Sequence, residues 1–198
     1  RPTTFISVPR LWLKFQQGVF AKMPPSKLDR LLRIPILRRI VAKKVLGGLG
    51  LDAVVQAGSG SAPLPPELIR WYRKLGLKLF EGYGMTECPM IAQGSPSDSE
   101  DQLANTEGKP VAGCEVRIVG EDDNVCAAGE DGEVRLKGPM VFKGYTDESL
   151  NADAFDEDGY FRTGDVGHLR EDGHVVLTGR LKDIIIRKGE NISANEIE

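Results

Sequence analysis

Residues 52–87 read DAVVQAGSGSAPLPPELIRWYRKLGLKLFEGYGMTE, and the order of the elements predicted here indicates the architecture of the chain. This stretch predicts, in order, a short apolar strand at 52–57, a loop of small residues at 58–63, a helix at 66–75 and a second strand at 77–80. A strand, a helix and a strand at such short spacing are typical of a parallel α/β unit. Because open parallel sheets place ligands where their strands end, we expect a site in the residues that follow the second strand.

Helical patterns precede this segment. The sequence predicts a strand at 3–8, a helix at 10–22, and a second helical stretch at 27–46 that is interrupted at Pro35. The second stretch is rich in Lys and Arg, so it either touches an acidic membrane surface or forms a solvated helix face. Nucleic acid is not predicted as a partner, because no aromatic residues interleave these charges.

Short strands and glycine turns follow a polar loop predicted at 95–106. These strands are predicted at 115–119, 133–137, 166–170, 174–178 and 184–187. The pairs Asp131-Gly132 and Asp172-Gly173 are turn signals between them. This half of the chain therefore predicts antiparallel hairpins, arranged as a small barrel or a meander.

Composition divides the chain in the same way. Residues 1–80 hold 15 Lys and Arg against 3 acidic residues, although the whole chain of 198 residues carries a net charge of −3. A chain that is 40% hydrophobic and 28% charged can bury a core, which excludes disorder. No run of about 18 uncharged apolar residues occurs, which excludes a membrane-spanning helix. Three cysteines without metal-ligand spacing predict reduced thiols in a cytoplasmic protein.

Two glycine-containing segments are candidates for a phosphate site. The small residues of Gly58–Ala62 would let backbone N–H groups approach an anion, although a plain tight turn stays open. In Gly82–Glu87, Tyr83 offers a flat face, Thr86 a hydroxyl and Glu87 an oxygen ligand suited to Mg²⁺. The alternative is a turn with a half-buried tyrosine and a capped short helix.

Asp165 and Arg180 form a candidate pair by their spacing. Their midpoint falls on the Asp172-Gly173 turn, so a hairpin of 166–170 with 174–178 brings them together at its open end. A carboxylate there could accept both hydroxyls of a ribose, with the guanidinium fixing phosphate or sugar. A surface salt bridge is the alternative. Lys182-Asp183 is either a hinge or an ordinary exposed connection.

Taken in order, these segments resemble the adenylate-forming (AMP-binding) superfamily, and within it the fatty acyl-CoA synthetases. The resemblance covers the whole chain and rests on six motifs: GSGSAPL at 58–64, GYGMTE at 82–87, GEVRLKG at 132–138 with KGY at 143–145, YFRTGD at 160–165, GRLKD at 179–183 and KGENIS at 188–193. The order and the spacing of the six make chance similarity improbable.

The resemblance implies an enzyme that activates a carboxylic acid with Mg·ATP to an acyl-adenylate and passes the acyl group to coenzyme A. It implies catalytic roles for Thr86 at a phosphate and for Glu87 as the Mg²⁺ ligand, adenine against Tyr83, and ribose hydroxyls on Asp165 with Arg180 beside it. Asp183 matches the family's hinge, and Lys188-Gly189 would meet the pantetheine arm of coenzyme A. The remaining residues assigned to the nucleotide and acyl pocket are Gly58, Ser59, Gly60, Ser61, Ala62, Glu81, Gly82, Gly84 and Met85.

The resemblance also predicts a fragment, because the family's glycine-rich phosphate loop and its C-terminal catalytic lysine have no match here. The expected organisation is an α/β subdomain at 1–95, a β-barrel-like subdomain at 96–182, and the hinge with the start of a C-terminal domain at 183–198. We expect this piece of a fatty acyl-CoA synthetase to be inactive alone and to lie in the cytoplasm, or at the periphery of an acidic membrane. The alternatives are an enzyme that loads an aryl or amino acid onto a carrier protein, and a non-catalytic module that contacts nucleotide or membrane.

Overall fold

The computed structural model describes residues 1–187 and 190–193, with side chains described through Lys182. The chain forms two compact units. The first unit comprises Arg1–Gly82 and Gly94–Asn105, and the second comprises Tyr83–Gln93 and Thr106–Glu198. These units differ from the predicted subdomains 1–95 and 96–182 in where they place residues 83–93 and 96–105.

Parallel strands form the sheet of the first unit. Strand β1 (Thr4–Ser7) pairs with β2 (Gln56–Ser59), and β2 pairs with the first residues of β3 (Leu79–Met85). The predicted parallel α/β arrangement is therefore confirmed. The predicted strand at 52–57 was placed four residues too early, because the backbone pairs with β1 only from Gln56 and with β3 only from Ala57.

Five helices accompany these strands: α1 (Pro9–Lys22), α2 (Pro25–Leu32), α3 (Pro35–Gly48), α4 (Pro66–Lys74) and α5 (Glu100–Asn105). The first four each have a proline at their first or second position, where the fixed φ favours helix initiation. The predicted interruption at Pro35 is confirmed, since α2 and α3 are separate helices.

The polar loop predicted at 95–106 is wrong in part, because it contains α5. This helix has six residues and is too short for apolar periodicity to show. Its signal is a capping box: the Ser99 hydroxyl accepts from the Gln102 N–H (3.1 Å), and the Gln102 side chain accepts from the Ser99 N–H (2.8 Å).

Aromatic side chains fill the core of the first unit. Trp12 and Tyr72 are fully buried and meet edge to face with their ring centroids 5.0 Å apart. The Tyr72 hydroxyl donates to the Trp12 carbonyl (2.7 Å), which satisfies the only polar atom that this ring brings into the core. Trp71 packs at the edge of the same cluster.

Antiparallel strands build the second unit, as predicted. After β4 (Cys88–Gln93) and β5 (Lys109–Pro110), a four-stranded sheet follows in the order β6 (Glu115–Val119), β7 (Gly132–Lys137), β8 (Phe161–Leu169) and β9 (Val175–Arg180). Strands β10 (Ile184–Arg187) and β11 (Glu190–Ser193) form a separate hairpin. Strand β8 begins five residues before its predicted start.

In the part of the chain that the structure describes, no helix has both the length and the apolar character needed to cross a bilayer.

Candidate functional site

The glycine-rich segment after the parallel strands continues as a strand. Gly82 to Met85 belong to β3, and Thr86 and Glu87 form the two-residue turn that leads into β4. The alternative of a capped short helix at this point is therefore wrong. A Cβ atom on Gly84 would fall onto the carbonyl of Pro89 on the next strand, so only glycine fits the close approach of the two backbones.

Asp165 lies at the centre of a buried cluster. The Tyr83 hydroxyl donates to its Oδ2 (2.6 Å), and Arg180 Nε lies 3.0 Å from its Oδ1. Asp165 is 6% exposed and Tyr83 8%, whereas the Arg180 side chain is 70% exposed. The predicted pairing of Asp165 with Arg180 across the hairpin is confirmed by the register of β8 and β9. The structure adds Tyr83 to this pair.

A threonine that the sequence did not single out as a functional residue supports the cluster. The Thr163 hydroxyl accepts from the Asp165 N–H (3.0 Å) and donates to the Val134 carbonyl (2.7 Å). It therefore ties the backbone of Asp165 to the neighbouring strand β7. The only sequence signal was the position of Thr163 within the YFRTGD motif.

The electrostatics keep Tyr83 a hydrogen-bond donor. Burial raises the pKa of Tyr83 well above its ordinary value, and the hydrogen bond to the Asp165 carboxylate and its negative charge raise it further. Each carboxylate oxygen carries two lone pairs. Among the described residues Tyr83 and Arg180 each occupy one oxygen, so within that part of the chain Asp165 keeps an acceptor position on both.

Glu87 is held by a second tyrosine. The Tyr145 hydroxyl donates to Glu87 Oε1 (2.9 Å), and the N–H of Phe142 donates to the Glu87 carbonyl (2.7 Å). Burial and the hydrogen bond to Glu87 raise the pKa of Tyr145, so it also stays protonated. No functional role was predicted for Tyr145, whose only signal in the sequence is the motif KGY. Thr86, the other residue of the turn, is exposed.

A magnesium ion fits this arrangement. Glu87 is half-buried, and its Oε2 has no hydrogen-bond partner among the described residues. Mg²⁺ is usually held by one or two carboxylates together with phosphate oxygens and water. In the described part of the chain, no three His, Cys, Asp or Glu side chains cluster as a metal site. Glu87 would therefore hold the ion together with a bound phosphate.

The loop Gly58–Ala62 adopts an unusual backbone. Ser61 has φ +71°, in the left-handed region that residues other than glycine rarely occupy. A Cβ on Gly60 would lie 3.1 Å from the Gly82 carbonyl, so the loop runs close along β3. The Ser59 hydroxyl is buried and has no hydrogen-bond partner among the described residues. These features leave the loop as a candidate phosphate site, with a plain tight turn as the alternative.

Glu81 ties this loop to β3. Its Oε1 accepts the N–H of Leu64 (2.9 Å), and the Glu81 side chain is 9% exposed. Burial raises the pKa of Glu81 to about 7, although the Leu64 N–H opposes the shift. The group thus titrates near neutral pH, which no pattern in the sequence indicated.

The structure distributes the predicted site residues over both units. The first unit contains Gly58, Ser59, Gly60, Ser61, Ala62, Glu81 and Gly82, and the second contains Tyr83, Gly84, Met85, Thr86, Glu87, Asp165 and Arg180. Asp183 ends a short 3-10 helical turn directly before β10, and its side chain lies outside the described part. Lys188 and Gly189 lie outside the described residues.

Known proteins resemble this chain in sequence and structure. A 2-succinylbenzoate–CoA ligase from Bacillus velezensis is 43% identical over 143 residues, which cover 71% of this chain and 28% of the relative. A medium-chain fatty-acid–CoA ligase from Escherichia coli K12 is 39% identical over 140 residues, 70% of this chain and 25% of the relative. The chain therefore spans only about a quarter of the length of these curated relatives.

A solved structure agrees with the sequence relatives. O-succinylbenzoate coenzyme A synthetase from Bacillus subtilis, in complex with ATP and a magnesium ion, superposes with a TM-score of 0.69 at 35% identity. The match covers 79% of this chain and 34% of that one. The family model described as "AMP-binding enzyme" matches residues 1–146, which is well over half of the chain. The chain, whose second unit holds the two carboxylate–tyrosine pairs, therefore belongs to the AMP-binding enzyme family.

Proposed function

We propose that this chain is the nucleotide-holding part of an AMP-forming acid–CoA ligase that acts on a fatty acid. In that reaction a carboxylate oxygen attacks the α-phosphorus of ATP and pyrophosphate leaves. The thiol of coenzyme A then attacks the acyl carbon, AMP leaves, and the acyl-CoA thioester forms. Proteins of this class rely on positioning and on charge neutralisation at phosphorus.

The Asp165 cluster is the observation that carries the proposal. A buried carboxylate with one acceptor position left on each oxygen matches two neighbouring hydroxyls, as on a ribose. Tyr83 and Arg180 fix the carboxylate in place before any ligand binds, so little ordering remains to be done on binding. Arg180 is exposed enough to reach a sugar or phosphate as well.

Glu87 and Thr86 are the residues that would contact the phosphate groups of ATP. The Mg²⁺ ion, when bound, neutralises phosphate charge and orients the leaving pyrophosphate. Glu87 would hold that ion through Oε2 while Tyr145 fixes Oε1, and the exposed Thr86 hydroxyl is free to contact a phosphate oxygen. Tyr145 is in this view a positioning residue, since it acts through Glu87.

The finer assignments are also proposals. The fatty acid rests on the resemblance of the chain to fatty acyl-CoA synthetases and on the fatty-acid–CoA ligase among its relatives. The three free cysteines fit a cytoplasmic location. We further propose Asp183 as the hinge, with Lys188 and Gly189 at the pantetheine arm. An aryl acid is the second candidate, because a succinylbenzoate–CoA ligase matches the chain at 43% identity, against 39% for the fatty-acid ligase.

The ribose assignment can be tested by calorimetric titration. We expect 2′-deoxy-AMP and 3′-deoxy-AMP to bind the chain roughly 10-fold to 100-fold more weakly than AMP, because each lacks a hydrogen bond to a charged acceptor. In Asp165→Ala this penalty should disappear while AMP itself binds weakly. Asp153→Ala removes an exposed carboxylate of the same unit and serves as the matched control.

Two results would contradict the assignment. One is an equal affinity of the chain for AMP and its deoxy analogues, and the other is an unchanged deoxy penalty in Asp165→Ala. The choice of acid needs a ligase that contains this chain. Acid-dependent exchange of pyrophosphate into ATP should be faster with a fatty acid than with 2-succinylbenzoate, and the reverse order would favour the aryl acid. The 198-residue chain alone should catalyse no exchange.

A further inference from the structure

Helix α3 is apolar on two opposite sides. Ala42 and Leu46 are buried in the core of the first unit. Ile36 and Ile40, one turn apart on the other side, are 75% and 61% exposed, and Ile34 just before the helix is 47% exposed. A surface helix needs only one apolar face to fold onto a core. The second apolar face, Ile36 and Ile40, together with the exposed Ile34 that precedes the helix, is called the α3 ridge below.

Positive charges flank the α3 ridge on both sides. At about 100° of rotation per residue, Ile36 and Ile40 lie some 40° apart around the helix axis. Arg39 and Lys43 fall next to them on one side and Lys44 on the other, and all three are exposed. The exposed face is therefore an apolar stripe between two cationic edges.

These charges are not neutralised within the described part of the chain. Residues 25–48, which comprise helices α2 and α3 and the two residues between them, hold seven Lys and Arg residues and one acid, Asp29. Asp29 pairs instead with Lys74 on α4, and the nearby Asp52 pairs with Arg1. None of the seven cations forms an ion pair with a described carboxylate, so the face keeps its full positive charge.

We propose that the α3 ridge docks this protein on an anionic lipid bilayer. The isoleucine side chains would enter the boundary between headgroups and acyl chains, and Arg39, Lys43 and Lys44 would meet the phosphate and carboxylate groups of the lipids. A stripe of branched apolar residues between cationic edges is the pattern of helices that lie in a membrane interface. A polyanion without an apolar phase would satisfy the cations but leave the isoleucines in water.

Vesicle sedimentation tests the proposal. The chain should sediment with phosphatidylcholine vesicles that contain phosphatidylserine, bind pure phosphatidylcholine weakly, and lose binding as salt is raised. Arg39→Gln/Lys43→Gln should lower the partition constant roughly 25-fold, about fivefold for each cation. Ile36→Ser/Ile40→Ser should lower it about 10-fold or more without changing the net charge.

Matched variants elsewhere in the first unit show whether vesicle binding depends on the ridge itself or only on the total charge and the exposed apolar area of the chain. Lys14→Gln/Lys22→Gln makes the same charge change on exposed positions of α1, and Val55→Ser removes an apolar side chain that is 78% exposed. Both controls should bind as the unaltered chain does. Circular dichroism shows whether each variant is folded.

Three results would overturn the proposal: no binding to anionic vesicles, equal binding to neutral ones, or ridge variants that bind no worse than the controls. Vesicle binding should persist in a ligase that contains this chain, and its loss there would mean that the rest of the enzyme covers the ridge. Light scattering tests a second copy of the chain as the occupant. If the chain dimerises and Ile36→Ser/Ile40→Ser makes it monomeric while vesicle binding stays, the ridge contacts a second copy of the chain instead.

Discussion

Replacing Glu81 with glutamine should stabilise the first unit above neutral pH and change little in acid. The Glu81 carboxyl is buried, and its pKa is raised from 4.5 to about 7. The folded protein thus binds this proton more tightly than the unfolded chain does. The contribution of Glu81 to stability is complete below pH 4.5 and is lost as the pH rises through about 7.

The size of the effect follows from the two pKa values. A difference of about 2.5 pH units, at about 1.4 kcal/mol for each, corresponds to roughly 3 kcal/mol of unfolding free energy lost above pH 7. Glutamine keeps an amide oxygen for the Leu64 N–H and carries no charge to bury. We therefore expect Glu81→Gln to exceed the unaltered chain by about 2–3 kcal/mol in mildly alkaline buffer.

Urea unfolding followed by tryptophan fluorescence measures this free energy. The two tryptophans of the chain, Trp12 and Trp71, both belong to the first unit and report on its unfolding. Glu67→Gln is the control, because Glu67 is an exposed glutamate of the same unit. Glu81→Ala should be less stable by about 1–3 kcal/mol even in acid, since it leaves the buried Leu64 N–H without a partner.

The reasoning fails if Glu81→Gln and the unaltered chain show the same pH dependence of unfolding. It also fails if Glu81→Gln is less stable than the unaltered chain above pH 7, because the charged carboxylate would then be better accommodated than a neutral amide.

Tyr83→Phe and Asp165→Asn are expected to show a coupling free energy of about 2 kcal/mol in a double-mutant cycle, since a hydrogen bond to a buried charge is stronger than a neutral one; coupling near zero in urea unfolding would mean that the two groups do not interact. Gly84→Ala should destabilise the second unit by about 2 kcal/mol, because its Cβ would strike the Pro89 carbonyl, and an unchanged urea midpoint followed by tyrosine fluorescence would argue against that close approach. Cys126 should react with Ellman's reagent before the other two thiols, which are buried; a single common rate would contradict this order.

Local patterns were enough to predict most of the elements. Pro35 divides two helices because a proline inside a helix lacks the N–H and clashes with the preceding turn. The Asp172-Gly173 turn starts the hairpin of β8 and β9 as expected, but Asp165 lies opposite Arg180 only because a bulge follows it in the ladder. The bulge between Val166 and Gly167 shifts the register by one residue, and without it Asp165 would lie opposite Gly179. No pattern in the sequence of this hairpin indicates that bulge.

Long-range contacts limited the prediction of the site. Tyr83 and Asp165 are 82 residues apart, and Glu87 and Tyr145 are 58 apart. Such pairs depend on which strands meet, which local propensity does not determine. Motif resemblance selected Tyr83 and Asp165 individually, but only the folded chain shows that one donates to the other. The pKa of Glu81 depends in the same way on burial by distant residues.

The chain passes from the first unit to the second at residue 83 and returns to the first at residue 94, which limits where it can be divided. Strand β3 starts in the first unit and ends in the second, and residues 94–105 return to the first. A cut after residue 95 would remove α5 and with it Leu103, which is 1% exposed and contacts Gly94. Neither half of such a split gene would encode a complete core. Recombination between relatives should therefore be tolerated only where 83–93 and 94–105 each stay with the unit into which they fold.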